Sequence, residues 1–135
     1  MAAFSDYLEG KIAQFIFKNN AETFTPPGDN LYVALFTAAT GLEANSPSAE
    51  VSGGSYARQQ VTAANWTQSG GAVENTADIE FPVATAAWGT ITHVAVMDAA
   101  SAGNVLYWGA LTASREIGEA DQLKFNAGEL DLTHD

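Results

Sequence analysis

Cysteine is absent from this chain, and basic residues are nearly so. With no thiol there are no disulfides and no thiolate metal sites, so stability has to come from burial and from association. Five Lys and Arg face sixteen Asp and Glu, a formal charge of -11. Such a balance repels phosphate backbones and anionic lipid headgroups, which excludes nucleic acid and membrane surfaces as expected partners. Two histidines, His93 and His134, are too few for a histidine-based metal cluster. No apolar run reaches the roughly 18 residues of a membrane span. The amino end has no basic stretch followed by an apolar one, so no secretory signal is read there and synthesis in the cytoplasm is expected.

The 135 residues fit one domain, in which 47% hydrophobic residues supply a core without staples. Charged residues make up 16%, below the usual quarter. The surface is therefore expected to be rich in Ser, Thr, Asn, Gly and Ala, which suits packing against other protein.

One helix is predicted near the amino end. Ser5 can cap it, Leu8, Ile12, Phe15 and Ile16 recur at helical spacing, Asp6 and Glu9 sit at its positive end, and Asn19-Asn20 offer a stop. The turn-forming Thr25 to Asp29 follows. Strands are then predicted at Leu31 to Thr37, Tyr56 to Thr62, Asp78 to Pro82, Gly89 to Asp98, Asn104 to Thr112, Gln122 to Asn126 and Glu129 to Thr133. Leu31 to Thr37 is apolar on both faces, as in mid-sandwich or at a subunit contact. Ala38 to Ser55 has few apolar anchors and reads as a long, mobile surface loop. Short strands separated by Gly, Asn and Ser turns predict a mainly β fold, a single-domain antiparallel β-sandwich or jelly-roll-like barrel with one N-terminal α-helix. Residues 1-20 are expected to form a helical arm and residues 21-135 the β domain.

The chemistry-bearing residues read blandly. Alternation places His93 beside Ile91, Ala95 and Met97 as a half-buried structural histidine, and no nucleophile elbow supports a triad. Glu116, Glu119 and Asp121 match no calcium loop and read as a solvated acidic turn. Gly53-Gly54 and Gly70-Gly71 are turns, lacking the lysine of a phosphate cradle, and Trp66, Trp88 and Trp108 read as core aromatics. Arg58, between Tyr56 and Gln59-Gln60, could clamp a carboxylate or carbonyl with paired hydrogen bonds. No catalytic, cofactor-binding or metal site is expected. The candidate partner contacts are Phe4, Leu8, Ile12, Phe15, Tyr56 and Arg58.

Five stretches, Phe4 to Ile12, Asn30 to Ala38, Ser52 to Val61, Ile79 to Ala99 and Gly103 to Thr112, together resemble a family of small virion proteins of tailed bacteriophages. Members are labelled tail-fibre-like, and they are similar in kind to the small β proteins that decorate phage heads. The resemblance implies a non-enzymatic structural protein of the virion. A compact acidic module without a shaft of repeats favours a capsid decoration, or cement, protein that binds the major capsid protein, and a small tail-fibre or tail-associated protein of host attachment is the alternative. Other virion proteins and further copies of the chain are the expected partners.

Overall fold

A computed structural model describes residues 2–18 and 25–133. The expected helix stop at Asn19-Asn20, the domain boundary at residue 20 and His134 lie outside the described residues. The strands are β1 (Ala2–Phe4), β2 (Tyr32–Phe36), β3 (Gln59–Gln60), β4 (Trp66–Ser69), β5 (Ala72–Asn75), β6 (Ile79–Glu80), β7 (Gly89–Met97), β8 (Val105–Ile117), β9 (Lys124–Phe125) and β10 (Asp131–Thr133), with the helix α1 (Asp6–Phe17) between β1 and β2. The molecule is mainly β, as the sequence predicts. A five-stranded antiparallel sheet runs β1-β8-β7-β2-β3, and two smaller ones run β10-β5-β4 and β6-β9.

β7 and β2 are buried on both faces. On one face Val33, Leu35, Ile91, Val94 and Val96 meet Ile79, Phe125 and Leu132 from the small sheets, forming the main core and the two layers of the sandwich. On the other face Ala34, Phe36, Ala95 and Met97 pack with Leu42 and Val105. The cover on that second face is the segment after β2. Leu42 is fully buried on that face, Val51 at the segment's far end is nearly buried in the main core, and the segment is tied down by Thr37 N to Ala49 O at 3.0 Å and Val51 N to Leu35 O at 3.0 Å. The expectation of a mobile loop at Ala38 to Ser55 is therefore corrected. Two isolated apolar residues anchor the segment, and isolated residues leave no periodic signal.

Gly41 makes the tight bend in that cover possible: at φ +76° a Cβ would lie 1.9 Å from Ser46 O. Asn45 closes the segment onto the β7–β8 hairpin, its Oδ1 accepting from Val105 N at 2.7 Å and its Nδ2 donating to Asn104 Oδ1 at 2.9 Å. The hairpin turn is itself held by Asp98, which accepts from Asn104 N at 2.6 Å and Asn104 Nδ2 at 2.9 Å.

Four further departures have local causes. Between Ile91 and His93 the register with β8 shifts, Ile91 pairing with Arg115 and His93 with Ala110. This bulge reverses the parity, so Ile91 joins Val94 and Val96 instead of sharing the face of His93, whose register partner on β2 is Phe36. A hairpin of β4 and β5 folds about Gly70-Gly71 from polar residues that no apolar alternation marks. The strand expected at Tyr56 to Thr62 shrinks to Gln59–Gln60, because Tyr56 and Arg58 turn inward. β1, unmarked in the sequence, pairs with β8 through Ala2 with Gly109, Ala3 with Trp108 and Phe4 with Tyr107.

The inward turn of Tyr56 and Arg58 builds a clamp. Arg58 donates from Nε to Glu50 Oε1 at 2.7 Å and from Nη2 to Glu50 Oε2 at 2.8 Å, a bidentate pair. Its Nη1 donates to Ala99 O and Ala102 O, both at 2.8 Å, binding the β7–β8 turn to the cover segment. The Arg58 side chain is only 5% exposed. The Tyr56 hydroxyl donates to Glu50 Oε1 at 2.9 Å and accepts from Leu35 N at 3.0 Å. Its ring stacks on Phe81 and meets Trp88 edge-on, with centroids 6.3 and 5.5 Å away. Burial pushes the Tyr56 phenol well above its ordinary value, only partly opposed by the Leu35 N–H.

Three outcomes are expected. Leu42→Ala should lose about 2–5 kcal/mol in urea unfolding and open residues 38–50 to limited proteolysis, which the unsubstituted chain should resist. Arg58→Ala strands the Glu50 carboxylate and two carbonyls, and should cost about 3 kcal/mol in the same measurement. Because the Tyr56 pKa is raised on folding, the stability it supports is complete below the unfolded tyrosine value of about 10 and declines above it. Tyr56→Phe should lower neutral-pH stability by about 1–3 kcal/mol and flatten the alkaline decline in a urea series across pH.

Candidate functional site

The helix starts where the main sheet ends. Ser5 is fully buried, and its N–H donates to Leu106 O at 3.0 Å. Its Oγ accepts from Leu8 N at 3.3 Å, the N-cap bond that the sequence predicts, and donates to Val105 O. Asp6 N adds a bond to Glu43 O at 2.8 Å. The first turn of α1 is thus bound to β8 and to the cover segment. Asp6 and Glu9 lie in that turn, where the free N–H groups favour negative charge.

From there the helix leaves the body. Leu8 is 7% exposed, Ile12 half-buried, Phe15 56%, Ile16 61% and Phe17 81% exposed. The apolar stripe that predicts a docked face is docked only at its beginning. The last turn and a half carries large apolar side chains into solvent, each forgoing about 1.5–3 kcal/mol of burial.

Beside the buried part of the helix runs an apolar groove of about 430 Å³, lined among others by Leu8, Ile12, Trp66, Val96, Tyr107 and Leu132. Phe4 reaches it from β1, its ring centroid 4.9 Å from that of Tyr107. Burial raises the Tyr107 phenol above the ordinary tyrosine value. The groove joins α1 to both layers of the sandwich, since Tyr107 and Val96 come from the large sheet and Trp66 and Leu132 from a small one.

The six expected contact residues therefore divide. Phe4, Leu8 and Ile12 line the groove, and Phe15 stands on the protruding tip. Tyr56 and Arg58 are elsewhere, engaged within the clamp, with Arg58 making four hydrogen bonds inside its own chain. The chemistry expected of Arg58, a carboxylate and carbonyls held by paired donors, is present, with Glu50, Ala99 and Ala102 of the same chain supplying the acceptors. Phe17, off the predicted stripe, is the most exposed of the large apolar residues among those described, and Trp66 and Leu132 lie too far along the chain for any local pattern to place them at the groove.

The remaining candidates are local structure. Asp121 Oδ2 accepts from Gly118 N at 2.8 Å and shapes the turn after β8. His93 Nδ1 lies 2.8 Å from Thr92 Oγ1, and its ring is 6.3 Å from Trp108. Trp88 is buried in the main core with its Nε1 donating to Gly54 O at 2.8 Å. Arg115 bonds Lys124 O at 2.9 Å, pairs with Glu129 and lies over the Phe125 ring.

Comparison with curated proteins finds no match. Comparison with protein-family models matches residues 3–133 to a family described as podophage GP4 fiber I protein gp80. The match takes in α1, the groove, the clamp and both layers of the sandwich, and the chain accordingly belongs to this podophage fiber I protein family, as a small, tail-fibre-like virion protein of a tailed phage.

Proposed function

We propose that the protein is a non-enzymatic component of a tail-fibre assembly, held in the particle through α1 and its groove and serving host attachment. The match to a fiber protein family over nearly the whole chain carries this reading. The geometry supports it: Arg58, Arg115, Asp98 and Asp121 are engaged in holding the fold, and three of the four exposed large apolar side chains among the described residues, Phe15, Ile16 and Phe17, lie on one helix. Its partners are other virion proteins, met after synthesis in the host cytoplasm. Capsid decoration, with the major capsid protein as partner, is the second reading, favoured by the compact body and its charge of -11.

Particles lacking the protein separate the two. A fibre role predicts that they adsorb to host cells several-fold more slowly while losing infectivity to heat at an unchanged rate, and that added protein restores adsorption. Unchanged adsorption with faster heat inactivation would establish the decoration role in its place.

A further inference from the structure

β8 outruns the strands on either side of it. β1 pairs with it only at Tyr107, Trp108 and Gly109. β7 pairs His93 with Ala110 and then Ile91 with Arg115, so Leu111 to Ser114 stand opposite the single residue Thr92. No strand among the described residues pairs with this stretch, and no backbone hydrogen bond ties it to a turn or loop. So wide a bulge forgoes ladder bonds and leaves an edge of backbone donors and acceptors, with Thr112, Ala113 and Ser114 exposed. The usual guards of an edge are missing, since Val105 to Ser114 holds neither proline nor charge. In the other layer β10 ends its sheet, with β5 on one side only.

Between the β8 bulge and β10 lies a cleft of about 340 Å³ that reaches down to Val94 and Phe125 of the main core. Arg115, Glu129 and Asp131 are its charged lining residues. Glu129 neutralises Arg115, while Asp131 makes no ion pair among the described residues, so the cleft keeps a net negative charge. The Arg115 guanidinium covers one face of the Phe125 ring, which closes that face to the stacking of a sugar. Unpaired strand edges on an apolar floor are met in kind by another strand. We infer that the cleft takes an extended segment of another virion protein, which adds as a strand along Leu111 to Ser114 in line with β1. The segment sets a large apolar side chain on Val94 and Phe125 and a basic residue beside Asp131. A second copy is not the donor, because every strand of the described residues is already paired within its own body. Two such cleft mouths would also bring like charge together on chains of -11 each. This site is separate from α1 and does not depend on how the helix is used.

The absence of cysteine makes the test site-specific. Ser114→Cys carries a benzophenone maleimide beside the cleft, and Ser101→Cys carries the same group at the far end of the β7–β8 hairpin; circular dichroism checks that both fold. Particles containing each are irradiated, digested and read by mass spectrometry. Position 114, and not 101, is expected to join a segment of a different virion protein in which a large apolar residue lies close to a Lys or Arg. A synthetic peptide of that segment should bind the purified protein. Methylating the peptide's backbone nitrogens at alternate positions, in each of the two frames, should weaken binding about tenfold in one frame, the loss of its strand hydrogen bonds. Asp131→Lys should weaken it several-fold, and should that variant unfold, the same loss is read from rising salt on the unsubstituted protein. Attachment of position 114 to a second copy, to a saccharide or to nothing would overturn the inference. So would a peptide that binds equally well with either methylation frame, or one indifferent to both Asp131→Lys and salt.

Discussion

The two-sided burial of β7 governs the arrangement of everything else. A strand apolar on both faces needs a cover on each, and a chain of this size has material for one regular second layer. The two small sheets provide it on one face. The other face is closed by an irregular segment that contributes Leu42 and little else of bulk. Such a segment cannot hold itself in place by sheet hydrogen bonds, so polar side chains fix it at several points: Asn45 to the hairpin, Glu50 to Arg58 and Tyr56. The clamp thus follows from the strand it protects, and the inward turn of Tyr56 and Arg58 is the cost of closing the second face. With both faces closed, the helix is docked through Leu8 and in part through Ile12, and its stripe ends in solvent at Phe15 and Ile16.

How far this could be read from the sequence depended on whether a feature repeats along the chain. Ser5 followed by Leu8, Ile12, Phe15 and Ile16 is a periodic pattern with a cap, and the helix starts where those residues place it. The long apolar runs of β7 and β8 and the turn of small residues between them were equally legible. Features carried by one residue were not. Leu42 sits alone among Gly, Glu, Asn and Ser and still anchors a whole segment. The bulge between Ile91 and His93 leaves no trace in composition and inverts the facing of Ile91. β4 and β5 are mostly polar, and only Gly70-Gly71 between them hinted at a hairpin.

The candidate site was half legible for a related reason. The residues of its helix, Leu8, Ile12 and Phe15, follow from spacing, and Phe4 from its place ahead of the cap. The opposite wall is assembled from Trp66, Val73 and Leu132, which only the packing of the small sheet on the large one brings together. Arg58 illustrates the complementary limit. Its neighbourhood announces the kind of acceptor it should hold, but sequence cannot say whose carboxylate that is, and Glu50 lies only eight residues away.

The rigid attachment of α1 at one end gives the helix a mechanical character. Its twelve residues make a lever of about 18 Å. The fulcrum is Ser5, held by the backbone of Val105 and Leu106 and braced by the three β1–β8 pairs just before it. A load applied at Phe17 is therefore delivered to β8, the longest strand of the sheet, and spread through β7 to both layers of the sandwich. The Ser5 bonds and the β1–β8 pairs make the first turn of the helix the point at which such a load enters the body.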